Sequence, residues 1–477
     1  MELILLPVIS AALFAIFGKK LNQWVAFALS AIPLIFLISL VNSHTNPGWT
    51  TIWDTTWLSV NFRFTLGYDG FTGLMLFLTN ILVPVILLAG VRNDENKTKI
   101  TALALLMQGA LNGVFMAKDG LMFYIFWELA LIPIYFITLS MKHKDAFKIT
   151  LRFFIYTFVG SLAMLASLMY IVLNKTNLSF AYQDMLNATY SLNEAILIGG
   201  GFLIAFLVKI PIIPFHSWQA DTYTESPSAG SMLLSGIMLK MGLYGLMRWF
   251  MPLFPESLDF YRPWIMAFAV AGIIYGAIIA LRQNDMKRMI AFSSLSHVAL
   301  ITAGIISGNK TGFSGASLQM FVHGVNAVGL FLMVEIIESK LGTRNLDQLG
   351  GLAKTNRLFT ISFVIIALGA AAVPFTNGFP GEFLLLKSVF EVKPVLAVLS
   401  GLTIILCAAY MLRMLQFSLF GEGKVEIGNL AIHQSLALFI VIAMVIAIGF
   451  FPQVILDFVN EDLEQVFSSI ELKGALA

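Results

Sequence analysis

Six titratable side chains stand where a charge is expensive. Glu128 sits in LMFYIFWELALIPIYF, Lys209 in ILIGGGFLIAFLVKIPIIPF and Lys240 in GSMLLSGIMLKMGLYGLM. His297 and His323 lie in later apolar segments, and Glu382 follows the proline-broken run IALGAAAVPFTNGFPGEF. A charge near mid-bilayer costs at least about 2.5–3.5 kcal/mol, so each group should face a partner or a wet cavity. The chemistry these types support is proton storage and transfer. Burial disfavours the charged form of lysine and a nearby carboxylate favours it again, so moving Glu128 toward or away from Lys209 switches the lysine between holding and releasing a proton. Such groups titrate as a pair. Histidine titrates near neutrality and can pass protons between stores.

A bland reading exists for each residue taken singly. One intramembrane ion is often a structural pair or a terminal residue snorkelling to the interface. A lone buried histidine is more often a hydrogen-bond partner between helices. Six such groups on six separate segments have no local partner to offset their insertion cost, which favours a line that carries protons. Other motifs are weaker. His216 with Asp221 and Glu225 lacks metal-site spacing, and no metal is expected. SSLSHVAL has no oriented acid or oxyanion arrangement. RQNDMKRMIAFSS is basic but short, a cytoplasmic loop and not a nucleic-acid site.

The composition says where these residues must reside. Of 477 residues, 58% are hydrophobic and only 12% charged, with a mean hydropathy of +0.85. A soluble chain carries about a quarter charged residues, so this is a membrane protein. The net charge of +2 decides nothing about partners. One cysteine, Cys407, can hold neither an iron–sulfur cluster nor an internal disulfide. No glycine-rich dinucleotide fingerprint opens a βαβ unit, and the three glycines at 199–201 lie in an apolar segment. No redox group is expected on this chain.

Apolar windows of membrane-spanning length predict fourteen helices, near 2–17, 24–42, 70–91, 99–117, 121–140, 150–173, 195–215, 227–250, 262–281, 288–307, 316–339, 358–390, 395–420 and 432–457. The first, in MELILLPVISAALFAIFGKK, has its lysines after the apolar run and reads as a retained helix, not a signal peptide. Alternate loops hold seventeen Lys and Arg, among them Arg92, Lys142, Lys287, Arg344 and Lys424. The opposite set, with the termini, holds eight, among them Arg63, Lys118, Arg248 and Lys473. The richer face is then cytoplasmic (or matrix), and both termini face outward. Lys209, Lys240, Lys387 and Arg413 fall within apolar segments.

Two helices read as interrupted, by Pro211 and Pro214 after Lys209, and by Pro374 and Pro380 with Gly378 and Gly381 before Glu382. Broken backbone at membrane depth is tolerated only where protein or a wet cavity covers it. A simple kink is the alternative. Lys209 to Glu382 and Lys240 to Arg413 are both 173 positions, and Glu128 to His297 is 169. These spacings suggest two five-helix halves of opposite orientation, as in many transporters. The predicted organisation is helices 1–3 over 1–98, a first repeat over 99–250, a second over 262–420, and a C-terminal helix and tail over 432–477.

The strings FHSWQADTYTESPSAGSMLLSGIMLKMGLYGLMR, RQNDMKRMIAFSSLSHVAL, HGVNAVGLFLMVE and NGFPGEF resemble the antiporter-like subunits of respiratory complex I. The likeness covers nearly the whole chain and is strongest over about 120–390. Within that family the chain looks most like the M type, the bacterial equivalent of mitochondrial subunit 4. The resemblance implies an all-α polytopic membrane protein of about 14 transmembrane helices, with two inverted five-helix repeats, two broken helices and one proton channel. It assigns the channel to Glu128, Lys209, Lys240, His297, His323 and Glu382. Glutamate at the last position is the M-type choice, where the L and N types and related cation/proton antiporter subunits resemble one another in using lysine. The chain is also short for the lateral helix of the L type. AAAVPFTNGFPGEF departs from the family, which usually has leucine before the proline and valine before GlyGlu, so Pro380 is expected to add a second break.

The implied function is that of a non-redox subunit of NADH:quinone oxidoreductase, translocating protons while NADH oxidation and quinone reduction occur elsewhere in the complex. No cofactor is expected here; flavin and iron–sulfur clusters belong to other subunits. Protons would come from the cytoplasmic side by Lys209 and Lys240, pass His297 then His323, and leave by Glu382, with the Glu128–Lys209 pair coupling to a neighbour. The implied partners are other membrane-arm subunits of the L and N types, membrane lipid and protons, and no nucleic acid. The setting is a bacterial inner membrane, or else a mitochondrial inner membrane. The rival readings are a subunit of a multi-chain sodium/proton antiporter and a structural spacer with an inactive channel.

Overall fold

Hydrocarbon offers backbone amides no partner, so a chain this apolar must satisfy them within helices. The computed structural model describes residues 1–43, 48–56, 63–89, 96–140, 144–421 and 426–476, with backbone alone at Lys19 and 471–476. Arg92, Lys142 and Lys424 lie outside the described residues, as does the side chain of Lys473. The long helices are α1 (Glu2–Phe17), α2 (Gln23–Ser43), α3 (Gly70–Ala89), α4 (Lys97–Met116), α5 (Gly120–Leu139) and α6 (Ala146–Asn174). They continue as α7 (Leu192–Lys209), α8 (Ser228–Leu253), α9 (Leu258–Arg282), α10 (Met286–Ile306) and α11 (Lys310–Leu341). The last are α12 (Arg357–Ala370), α13 (Gly378–Val392), α14 (Pro394–Leu419), α15 (Ile432–Phe450) and α16 (Gln453–Leu476).

Among the described residues twelve helices are long and apolar enough to cross a membrane. The short α1 and the broken pair α12–α13 complete the fourteen expected crossings. Helix starts carry side-chain caps: Asp119 accepts from Leu121 and Met122 N–H, Asn309 from Gly312 N–H and Asn356 from Phe359 N–H. The apolar stretches of α8, α10 and α11 are buried throughout, whereas that of α2 is 22% buried. Helices apolar all round belong at the centre, and three of the six residues named above ride on them.

Both breaks occur. Helix α7 stops at Lys209, and a turn region leads to a short helix, Gln219–Glu225. Helix α12 stops at Ala370 and α13 resumes at Gly378. Lys209 therefore precedes its break while Glu382 follows its own, so the equal 173-residue spacing does not superpose them. Pro380 makes no second break. It lies in the first turn of α13, where its missing N–H would have no helical partner anyway.

Three features were not expected. A two-stranded antiparallel hairpin, β1 (Thr50–Thr56) with β2 (Arg63–Tyr68), precedes α3. Helix α16 follows Pro452 as a separate element, burying Val459, Leu463 and Val466 at helical spacing on one face. Arg248, counted above as a loop cation, is buried on α8 and ion-paired with the buried Asp69. Its guanidinium lies 4.5 Å from the Trp49 ring centre and 5.4 Å from that of Phe71. The two other cations read as lying in apolar segments have ordinary answers. Arg413 donates to carbonyls at and just past the end of α9, Leu281 O at 3.3 Å and Gln283 O at 2.6 Å; Lys387 is 55% exposed and 3.9 Å from Glu391.

Asp69 and Arg248 form a buried pair, and removing one partner leaves the other charge unanswered. Asp69→Ala is expected to cost about 3–5 kcal/mol of stability. The measurement is the Tm of the purified chain in detergent, and an unchanged Tm would remove the pair from the structural core.

Candidate functional site

The centre of the bundle is shaped by an irregularity in α8. A wide π-type turn over Leu234–Met238 loosens the regular hydrogen-bond ladder just before Lys240. The Ser235 carbonyl accepts from Lys240 Nζ at 2.5 Å, and the same Nζ lies 2.8 Å from His323 Nδ1 on α11. Lys240 is fully buried. On the far side of His323, His297 of α10 places its Nδ1 2.8 Å from Glu382 Oε1. Gln319 Nε2 donates to the same carboxylate oxygen at 3.4 Å. The other ring nitrogen of His297 is 3.4 Å from Cys407 Sγ, which also reaches Ala370 O at the break after α12.

The two imidazoles are 6.1 Å apart between centres. A cavity of about 20 Å³ lies beside them, lined by Ser293, Ser294, His297, Gln319, His323 and Asn326 among others. A polar space of that size can take about one water, which needs two to four polar partners. Two direct pairs and one water-sized link thus run from Lys240 through His323 and His297 to Glu382. This reverses the order of the two histidines expected from the sequence.

Lys209 and Glu128 stand apart from that chain. Lys209 is 2% exposed, and its Nζ has no hydrogen-bond partner among the described residues. It lies 5.5 Å from the centre of the Trp127 ring, the neighbour of Glu128 on α5. Glu128 is half-buried with one carboxylate oxygen unpartnered, and among the described residues no ion pair joins it to Lys209. What ties Lys209 to the central helices is close packing. A Cβ on Gly242 of α8 would fall 3.0 Å from Phe206 O, 2.6 Å from Ile210 Cγ1 and 3.3 Å from Lys209 Cβ. Only glycine lets α8 pass so near the end of α7.

Several side chains at this site escaped the sequence reading. Gln319 and Asn326 lie four before and three after His323, on its own helix face. That spacing was the available signal. Asn326 Oδ1 accepts from Asn377 Nδ2 at 3.0 Å, which ties α11 to the break before α13. Within the break Ala372 (φ +52°) and Phe375 (φ +69°) take left-handed backbone that non-glycine residues seldom adopt. The Leu368 carbonyl, left over by the break, accepts from Val373 N–H at 3.2 Å. Ser293 Oγ and Tyr410 Oη, 2.8 Å apart, join α10 to α14 beside Cys407.

Residues 117–408 match the family described as NADH:quinone oxidoreductase/Mrp antiporter, TM. NADH-quinone oxidoreductase subunit M of Escherichia coli (strain K12) is 33% identical over 465 residues, covering 92% of this chain and 91% of the relative. The subunit M of Rickettsia conorii is 33% identical over 479 residues, covering 97% of each. Among solved structures, a chain of respiratory complex I from Thermus thermophilus with bound NADH superposes with a TM-score of 0.92 at 27% identity, covering 98% of this chain and 99% of that one. A chain of the Mrp complex from Dietzia sp. DQ12-45-1b has a TM-score of 0.89 at 19% identity, covering 100% of this chain and 98% of that one, and shares the fold. With the family model matching residues 117–408 and the subunit M relatives matched at 33% identity over more than nine-tenths of both chains, the chain belongs to the NADH:quinone oxidoreductase/Mrp antiporter family, among the subunits M of NADH-quinone oxidoreductase.

Proposed function

We propose that this subunit translocates protons in the membrane arm of NADH:quinone oxidoreductase, driven by NADH oxidation and quinone reduction in other subunits. The observation that carries the reading is the buried chain Lys240–His323 and His297–Glu382, each pair in contact at 2.8 Å. A proton on Lys240 Nζ can pass to His323 Nδ1 when that imidazole is neutral. From His323 it crosses the water-sized gap to His297 and then reaches the Glu382 carboxylate. Each transfer breaks one N–H bond as the next N–H or O–H forms, and no redox change is needed.

Loading takes place from the Lys/Arg-rich face, read as the cytoplasmic side of a bacterial inner membrane, with release toward the face that holds the termini. Lys209 and Glu128 act one step earlier. A carboxylate that approaches Lys209 favours its charged form and one that withdraws favours release, so a neighbouring subunit that shifts α5 would couple the two. The neighbours proposed are L-type and N-type antiporter-like subunits, with flavin and iron–sulfur clusters held elsewhere in the complex. The helix series 99–250 and 262–420 are proposed as inverted repeats, each with one broken helix. The shared fold with an Mrp complex supports sodium/proton antiport as the second reading; Glu382 in place of lysine and the subunit M relatives oppose it.

Lys209→Ala is expected to abolish proton pumping and slow NADH:quinone electron transfer while the complex still assembles. A normal ratio of protons to electrons in that variant would sink the assignment. Glu382→Gln keeps the shape of the side chain but cannot hold a negative charge beside His297. Pumping in sealed vesicles is expected to fall at least tenfold with or without sodium. Native pumping would make the subunit a spacer, and loss of pumping only in the presence of sodium would favour the antiporter.

A further inference from the structure

A second group of buried charge lies at the Lys/Arg-rich end of the central helices, where α8 and α10 begin and α11 ends. Lys287, in the first turn of α10, is 2% exposed and donates to the Ser226 carbonyl. Glu335, near the end of α11, is 7% exposed and accepts from Ser228 Oγ at the start of α8. Lys287 lies in the field of the Glu335, Glu338 and Asp285 carboxylates and of the Arg344 guanidinium. Arg344 forms a rim outside them, paired with Asp285 at 2.7 Å, Glu338 at 3.5 Å and Glu225 at 3.8 Å. The rim charges answer one another, while Lys287 and Glu335 sit beneath them, toward the membrane.

The histidine cavity reaches toward this group. Its lining includes Ile290 and Leu330. Ile290 is three residues along α10 from Lys287, and Leu330 five along α11 from Glu335, which is about 4.5 and 7.5 Å of helix rise. In axial order Ile290 and Leu330 therefore stand, as an apolar layer, between the charged group and the rest of the cavity lining. Helix α8 gives the same register on a second wall. Ser228 and Ser235 are seven residues apart, two turns on one face and about 10.5 Å. Ser228 holds Glu335, and the Ser235 carbonyl holds Lys240. Ser235 Oγ is also 3.2 Å from Ser294 Oγ at the cavity wall.

We propose that Glu335, with Lys287 beside it, is the station that collects protons from the Lys/Arg-rich face and supplies Lys240. The Glu335 carboxylate takes a proton from hydronium at the rim, forming an O–H bond and releasing water. That O–H bond breaks as the proton passes the Ile290–Leu330 layer to the neutral amine of Lys240, and the carboxylate is restored. A carboxylate suits this end because lysine alone, among like charges, would repel an incoming hydronium. The inference rests on the proton-transfer reading given above.

The test uses the whole complex in sealed vesicles, with NADH oxidation and proton movement followed together. Glu335→Gln keeps an acceptor for Ser228 and is expected to lower protons moved per NADH at least fivefold, with Glu335→Asp restoring half or more. Native pumping in Glu335→Gln while Lys240→Ala pumps nothing would overturn the station and leave the proton path standing. Native pumping in both would overturn the path and the station with it. Ile290→Ser leaves both charges in place and puts a hydroxyl in the separating layer. It is expected to raise proton leak through resting vesicles several-fold, and an unchanged leak would overturn the layer as the barrier.

Discussion

Taking an ammonium or a carboxylate out of water costs several kcal/mol per ion, even after the surroundings relax. The arrangement of the central helices follows from how that cost is met. Arg248 is met by Asp69 and three aromatic faces. Arg413 is met by the free carbonyls at the end of α9, where a cation is favoured by the helix dipole as well. Lys240 is met by a carbonyl and an imidazole, neither of which carries a fixed negative charge. The first two answers are permanent. The third depends on protonation, and it occurs where α8, α10 and α11 meet.

Such partial answers require backbone that is not ideal. A regular helix offers no spare carbonyl, so α8 relaxes into π-type turns on both sides of the Lys240 segment, and α12 ends early enough for Ala370 O to reach Cys407. The loosened regions are held elsewhere by close contacts. Gly242 admits the end of α7, and the Asn326–Asn377 bond pins the break before α13. Close-packed walls around a few polar groups give Lys240, His323, His297 and Glu382 each a defined neighbour. That is the condition for transfer over hydrogen-bond distances.

The spans, and the burial of Lys209, Lys240, His297, His323 and Glu382, were legible because both are local signals, a run of apolar residues and a titratable group inside it. The two breaks were legible for the same reason, since proline marks them. The order of His323 and His297 was not, because it depends on which faces of α10 and α11 meet. Arg248 was misread as a loop cation, since its partner Asp69 lies far off in the chain just before α3. Pro380 looked like a breaker until the start of α13 at Gly378 placed it in a first turn. The hairpin alternates poorly, with mostly exposed positions on β1, so no clean period of two announced it. Helix α16 was hidden by an apolar stretch that runs through Pro452.

Asp462 on α16 accepts from the backbone N–H of Gly48 and of Gly70, partners 414 and 392 residues earlier in the chain. Those amides lie just before the hairpin and at the start of α3, elements made early in synthesis. At about 5–20 residues per second, translation reaches Asp462 roughly 20–80 s after it passes them. For that interval the loop before α3 must wait at the membrane surface without its final clasp. The early helices are thus inserted in provisional form, and the end of the bundle that carries the hairpin is closed last, by the Asp462 carboxylate.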